Sequence, residues 1–325
     1  MIPIYKPFIE KYNNSAICSI KEGWISNYGK YVKLASDKLQ KFLGIEYCIL
    51  MNSGTAATHC LFIALKYKYP EISKIYIPNN IFIAAWNCGL MEYSEDIFEI
   101  MKTNPSTLNI ETSEDYIRTL KKNSAVLIVH NLGYIVNIPR LKHIRPDLVF
   151  IEDNCEGFTG KYNNKYSGTA SLCSSLSFYA NKIITSGQGG AFLTNDKFLY
   201  NHIIKVYSHG MTEKRYIHNV LAYNYRMTNI EAALLYDQLT DIDYILNLKD
   251  NIFSYYDKLF LNLIENNKII KLKDEQNTFH AKWMYSIIVP DIKYKNIEIY
   301  MNKQNIELRP YFYDISKHKH LFKIK

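Results

Sequence analysis

One lysine and one aspartate carry the sharpest chemical signal in the chain. Lys182 ends the run Ser177-Phe178-Tyr179-Ala180-Asn181-Lys182, which leads into Gly187-Gln188-Gly189-Gly190-Ala191-Phe192-Leu193, and Asp153 follows Val149-Phe150-Ile151-Glu152. A lysine amine can form a Schiff base with a carbonyl group, and a carboxylate can hold the nitrogen of a pyridine ring protonated. Together these are the needs of a pyridoxal phosphate site. Taken singly, each has a plainer explanation, a helix-capping aspartate or a solvated surface lysine. Their coexistence favours the cofactor and points to an aminotransferase.

The phosphate of such a cofactor needs a third feature. Asn52-Ser53-Gly54-Thr55-Ala56-Ala57 follows an apolar run and opens a helical pattern. A glycine there lets the backbone approach an anion closely, while the free N–H groups and dipole of a helix start stabilise its charge. An ordinary N-cap by Ser53 or Thr55 leaves the same trace. The run from Gly187 to Gly190 precedes a strand pattern instead of a helix, which argues against a Walker or Rossmann nucleotide loop.

The elements that must hold these residues alternate between strand and helix patterns. Tyr47 to Met51, Lys74 to Pro78, Ile97 to Met101, Ala125 to Val129, Leu148 to Glu152, Ser175 to Tyr179 and Gly190 to Thr194 read as strands. Thr55 to Tyr67, Phe82 to Leu90 and Ser113 to Leu120 read as helices between them. Strands separated by crossover helices imply a mainly parallel sheet covered on both faces, so the first part of the chain is an α/β domain. Asp153 then lies at the carboxyl end of the sheet, where open α/β folds bind ligands. From about Leu239 the pattern changes to a long helix, Ile242 to Asn262, a strand from Trp283 to Val289, a further helix and the segment Ile306 to Pro310. A large domain over 1–240 and a small α+β domain over 241–325 are expected. The basic segment from Lys317 to Lys325 shows no closing element, so the small domain reads as possibly truncated.

Composition sets limits on this reading. With 325 residues, 48% of them hydrophobic, the chain can bury a large core. Its net charge of +8 comes from scattered lysines with no block of like charge, which disfavours a nucleic-acid partner and suits a phosphorylated small substrate. The six cysteines, Cys18, Cys48, Cys60, Cys88, Cys155 and Cys173, form no C-x-x-C pair and fit reduced thiols better than a disulfide frame or a metal site. Neither a secretory leader nor an apolar run long enough to span a membrane is visible. A cytoplasmic enzyme without a metal is expected.

Assembled, these motifs resemble the sugar aminotransferases of the DegT/DnrJ/EryC1/StrS family. The resemblance runs from Gly23-Trp24-Ile25-Ser26 through Asn52 to Ala57, Glu152-Asp153-Asn154-Cys155-Glu156, Ser177 to Asn195 and Asn224-Tyr225-Arg226-Met227-Thr228 to Arg309-Pro310-Tyr311-Phe312-Tyr313. His209-Gly210-Met211, Lys214-Arg215-Tyr216 and Tyr223 to Thr228 look most similar to the perosamine and viosamine synthases. The resemblance implies an aspartate aminotransferase-like fold, fold type I among pyridoxal phosphate enzymes, with a mainly parallel mixed sheet. It implies transfer of an amine from L-glutamate to C4 of a nucleotide-linked 4-keto-6-deoxyhexose, in a homodimer with shared active sites.

Roles follow at matching positions. Lys182 is implied as the Schiff-base lysine and proton carrier, Asp153 as the partner of the ring nitrogen, Phe82 as the aromatic stacked on the ring, and Thr55, Ala56 and Ser177 as phosphate contacts. Asn224 is implied to reach the phosphate bound by the neighbouring subunit. Glu156 stands where many relatives have glutamine, near the cofactor's phenolic oxygen. Trp24, Ser26, Arg226 and Tyr313 are the candidates for the sugar, while His209 reads as a packed histidine. Asp314-Ile315-Ser316 departs from the Pro-Leu-His pattern of relatives. A dehydratase of the same fold is a rival, suggested by the surroundings of Asn154-Cys155 and Ile184-Thr185, but that branch carries histidine where Lys182 stands. A 3-keto-sugar aminotransferase, a non-catalytic cofactor-binding regulator and an NAD-linked sugar enzyme are further alternatives, the last lacking its G-x-G-x-x-G turn. The nucleotide, UDP, GDP or dTDP, stays open.

Overall fold

Short apolar runs assemble into one sheet in the computed structural model of the chain, which describes residues 1–321 and 324. In chain order the strands are β1 (Tyr47–Met51), β2 (Ile75–Pro78), β3 (Phe98–Met101), β4 (Ala125–Val129), β5 (Val149–Asp153), the two-residue β6 (Lys161–Tyr162) and β7 (Lys165–Tyr166), β8 (Ser174–Ser177) and β9 (Gly190–Thr194). The main sheet is 7-stranded with the order β1-β9-β8-β5-β4-β2-β3. Its pairings are parallel except for the two made by β9, which runs against both β1 and β8. The mainly parallel mixed sheet expected from the sequence is therefore present, and the reversal at β9 means that the loop between β8 and β9, which holds Lys182, turns back at the edge of the site.

The period of two along each strand decides which helices cover which face. The helices are α1 (Asn14–Glu22), α2 (Lys30–Leu43), α3 (Gly54–Lys68), α4 (Ile83–Glu92), α5 (Glu114–Thr119), α6 (Ile138–Ile144), α7 (Lys197–Val206) and α8 (Asn229–Thr240). In β1, Ile49 and Met51 pack into the cluster built by α3, α4 and α7, while Cys48 and Leu50 pack with α1, α2 and α8. In β4, Ala125, Leu127 and Val129 face the α3 side, and Val126 and Ile128 meet α5 and α6. Each fully buried Leu or Ile of this kind contributes roughly 2 kcal/mol through area removed from water. Helix α3 is buried from Ala56 through Leu65, as befits a helix that is apolar on all sides and lies inside the layers.

The remaining elements are α9 (Ile242–Glu265), β10 (Ile270–Lys271), β11 (Thr278–Phe279), β12 (Ile287–Ile288) and α10 (Tyr294–Lys303). β11 adds antiparallel to β6, which stitches the later part of the chain onto the earlier part, while β10 pairs with β12 within the later part. The strand expected from Trp283 to Val289 is reduced to Ile287 and Ile288. Its first residues leave the extended path because Lys282 takes φ 56° and Trp283 turns inward to donate from Nε1 to the Asn181 carbonyl. Short 3-10 turns lie at Ile315–Lys317 and Lys319–Leu321, and Ile315, Leu321 and Ile324 pack into the α3 cluster. Phe322, Lys323 and Lys325 of the basic segment lie outside the described residues. Among the described residues no helix is long and apolar enough to cross a membrane.

Candidate active site

The carboxyl end of β5 delivers Asp153 into a cavity of about 290 Å³. Its Oδ1 accepts the Cys155 N–H at 3.1 Å and its Oδ2 accepts the Thr58 hydroxyl at 3.4 Å, with Thr58 held in turn by the Ser175 hydroxyl at 3.0 Å. The carboxylate is thus aimed by one backbone and one side-chain donor. Lys182 reaches the same cavity from the loop after β8. That loop is fixed to α8 by Gln238, whose Oε1 accepts the Thr185 N–H at 2.9 Å and whose Nε2 donates to the Thr185 carbonyl at 2.6 Å. A side-chain amide satisfied on both edges and 2% exposed is a rigid tie.

A third wall comes from the start of α3. Ser53 caps it by accepting the Ala56 N–H on Oγ at 3.0 Å, so the plain capping explanation holds. Capping and anion binding are compatible here, because Ser53, Gly54 and Thr55 also line the cavity beside Ser177. A methyl group on Gly54 would meet Ser177 Cβ at 2.7 Å and its Oγ at 2.9 Å. Only a residue without a side chain lets the helix start sit against β8 and leave room for an anion.

Glu156 completes the polar lining. It is buried, and its Oε2 accepts the N–H of Leu132 at 2.8 Å. Burial pushes its carboxyl up to about 7, against the opposing pull of the Lys182 charge, the Leu132 N–H and the Arg309 charge. Leu132 itself sits at φ 59°, a left-handed conformation that costs strain in a residue with a side chain. The neighbouring Glu152 plays a different part. It is fully buried and accepts from His130 Nε2 at 2.7 Å, from the Gly168 N–H at 2.6 Å and from the Ser171 hydroxyl at 2.8 Å, bonds that build the scaffold.

Of the residues expected from sequence, Thr55, Phe82, Asp153, Glu156, Ser177 and Lys182 meet in this one cavity. Ala56 does not line it, since its N–H is taken by Ser53 and its side chain is buried. Asn224 and Arg226 stand apart as a pair, with Arg226 Nε donating to Asn224 Oδ1 at 2.9 Å and its Nη2 donating to His209 Nε2 at 3.1 Å. His209 is exposed, which corrects its reading as a packed histidine. Trp24, 58% exposed, and Ser26 are also outside the cavity, and their carbonyls accept from Asn229 at 2.7 Å each. Tyr313 is exposed and does not line it either.

The sequence reading missed Trp283, Arg309, Thr58 and Asn181 as lining residues. In the sequence Arg309 is only part of a motif and Trp283 only the start of a strand pattern. Among the described residues no group of three or more His, Cys, Asp or Glu is placed to hold a metal ion. The donor set instead fits pyridoxal phosphate: an amine, a carboxylate fixed at a strand end, an exposed aromatic ring at Phe82 and a side-chain-free helix start.

Comparison with known proteins adds to this geometry. The pattern of the DegT/DnrJ/EryC1/StrS aminotransferase family matches residues 8–324. GDP-perosamine synthase of Escherichia coli O157:H7 is 30% identical over 322 residues, covering 97% of this chain and 85% of that protein. GDP-perosamine synthase of Vibrio cholerae is 30% identical over 327 residues, covering 96% and 85%. The solved structure of E. coli GDP-4-keto-6-deoxy-D-mannose-3-dehydratase with bound hydrated PLP superposes with a TM-score of 0.87 at 20% identity, covering 99% of this chain and 88% of that one. That likeness shows the fold.

Proposed function

The chain belongs to the DegT/DnrJ/EryC1/StrS aminotransferase family, and we propose that it uses pyridoxal phosphate to transfer an amino group from L-glutamate to C4 of a nucleotide-linked 4-keto-6-deoxyhexose. The product is a 4-amino-4,6-dideoxyhexose of the perosamine or viosamine type, for glycan synthesis in the cytoplasm. The observation that carries this reading is the single cavity that receives Lys182 and Asp153 together. Two relatives at 30% identity are GDP-perosamine synthases, which makes a GDP-linked sugar the first acceptor to try.

When bound, pyridoxal phosphate supplies an electron-accepting ring through which an amine is exchanged between a donor carbon and an acceptor carbonyl. Asp153 places a fixed negative charge where a protonated ring nitrogen is to be held. Lys182 supplies the amine that attaches the cofactor and, once free, carries the proton at its Nζ, work typically worth about 10²- to 10⁴-fold. Ser53, Gly54, Thr55 and Ser177 would hold the phosphate, and Phe82 would stack on the ring. With a carboxyl that titrates near 7, Glu156 can donate a hydrogen bond as well as accept one, which supports its standing in for the glutamine of relatives.

We place Asn224 and Arg226 at the neighbouring subunit's cavity in a homodimer. Support comes from the position of both outside this chain's own cavity, with Asn224 exposed and Arg226 half-buried beside it, and from the exposed apolar residues Ile17, Ile20, Trp24, Ile25 and Tyr28. A division into 1–240 and 241–325 is proposed with it, supported by the main sheet lying entirely before residue 240.

The test is incubation with cofactor, L-glutamate and GDP-4-keto-6-deoxy-D-mannose, with products followed by mass spectrometry. Formation of 2-oxoglutarate and an amino sugar in equal amounts is expected. A deoxygenated sugar without nitrogen would instead identify a dehydratase, and failure on GDP-, UDP- and dTDP-linked acceptors alike would sink the C4 assignment.

A further inference from the structure

Trp283 has no assigned part in the chemistry, yet it is built around Lys182. It is 4% exposed and lines the cavity. Lys182 Nζ lies 4.1 Å from the centroid of its ring. Its Nε1–H donates to the carbonyl of Asn181 at 2.9 Å, one residue before the lysine, and its own carbonyl accepts from Lys249 Nζ on α9 at 2.8 Å. The indole is therefore held at its edge by the catalytic loop and at its backbone by α9, and its ring carries the Lys182 amine at 4.1 Å with the Arg309 guanidinium farther off at 5.9 Å.

A cation within about 6 Å of an indole centroid is attracted by the ring quadrupole, more strongly where water is excluded. Asp153 and Glu156 share the cavity, but among the described residues the Lys182 amine rests on the indole and bonds to neither. This matters because an unrestrained lysine side chain samples many rotamers. A cofactor lysine has two tasks, attachment and proton transfer, and between them its amine must stay near the reacting carbon.

We propose that Trp283 is a positioning residue for Lys182. Its face holds the amine during the stage in which that amine is not attached to the cofactor, and its N–H fixes the Asn181 carbonyl from which the lysine swings. The proposal rests on Lys182 being the cofactor lysine.

Two variants test it, Trp283→Leu, which removes face and donor, and Trp283→Phe, which keeps a weaker face and removes the donor. In cofactor-free protein, competitive acetylation quantified by mass spectrometry reads how well each amine is held. Labelling of Lys182 is expected to be about 10-fold faster in the Leu variant and a few-fold faster in the Phe variant, while the exposed Lys33 is unchanged. In holoenzyme, kcat is expected to fall in the same order with KM for both substrates within about twofold of wild type. A merely structural role would lower Tm and raise KM while leaving Lys182 labelling unmoved, and that result overturns the proposal. Should the Leu variant fail to fold, wild-type labelling and kcat in a folded Phe variant overturn it equally. Absence of a cofactor absorbance band in the wild-type protein would remove the role of Lys182 itself, and the proposal with it.

Discussion

Glu156 shows how one residue ties the chemistry to the stability of the fold. Its carboxyl moves from an ordinary value of 4.5 to about 7, chiefly through burial. The folded protein therefore binds this proton more tightly than the unfolded chain. The contribution to stability is full below about pH 4.5 and is lost as pH rises through about 7. Above that range the ionised carboxylate costs up to about 3 kcal/mol. Glu156→Gln keeps an acceptor for the Leu132 N–H and removes the charge, so its cofactor-free form is expected to melt higher than wild type at pH 8 and nearly equal to it at pH 5. Equal melting temperatures at both values would show that the carboxylate is not strained by burial. Lys182 and Asp153 stand out in the sequence because each sits in a local run whose pattern marks a strand end or loop, while Glu156 is singled out only through the family resemblance. Trp283 and Arg309 were illegible as cavity residues because they arrive from far along the chain through tertiary packing, and no local spacing records that.

Helix-to-helix ties govern the next scale. Asn229 opens α8 and is 1% exposed. Its Oδ1 accepts the Tyr31 N–H at 2.9 Å, and its Nδ2 donates to the Ser19 hydroxyl at 3.0 Å and to the Trp24 carbonyl at 2.7 Å. One side chain thus joins α1, the loop bearing Trp24 and Ser26, and the start of α2. Asn229→Ala leaves buried partners unsatisfied and is expected to cost about 3 kcal/mol in denaturant unfolding. A loss under about 0.5 kcal/mol would mean that water replaces the amide without penalty. Most of the α/β elements could be read from the sequence because their strands are buried on both faces and appear as unbroken apolar runs, as in Ala125 to Val129. Boundaries moved where a neighbour took over: Phe82 became the residue before α4 instead of its first turn, and Ile97 fell into a 3-10 turn ahead of β3. Helices α1 and α2 were not assigned, since the alternation that organised the reading begins only at Tyr47.

At the scale of the whole molecule the proposed homodimer makes a prediction that a single chain does not. If Asn224 serves the partner's cavity, Lys182→Ala and Asn224→Ala chains are each inactive alone, yet co-refolded in equal amounts they are expected to recover about a quarter of wild-type activity, because half the dimers are mixed and each mixed dimer has one intact site. No recovery, or an Asn224→Ala chain with full activity, would place Asn224 outside the site. The class of fold and the chemistry of the cavity were legible at this scale, while the stitching of β11 to β6 and the burial of Ile315, Leu321 and Ile324 were not, because both depend on contacts between distant segments.

The most direct measurement is the visible absorption spectrum of the purified protein with pyridoxal phosphate, before and after addition of L-glutamate, beside Lys182→Ala. A visible band that depends on Lys182 and is bleached by glutamate is the expected result. A wild-type spectrum identical to that of free cofactor, or a band that persists unchanged in Lys182→Ala, would contradict the account.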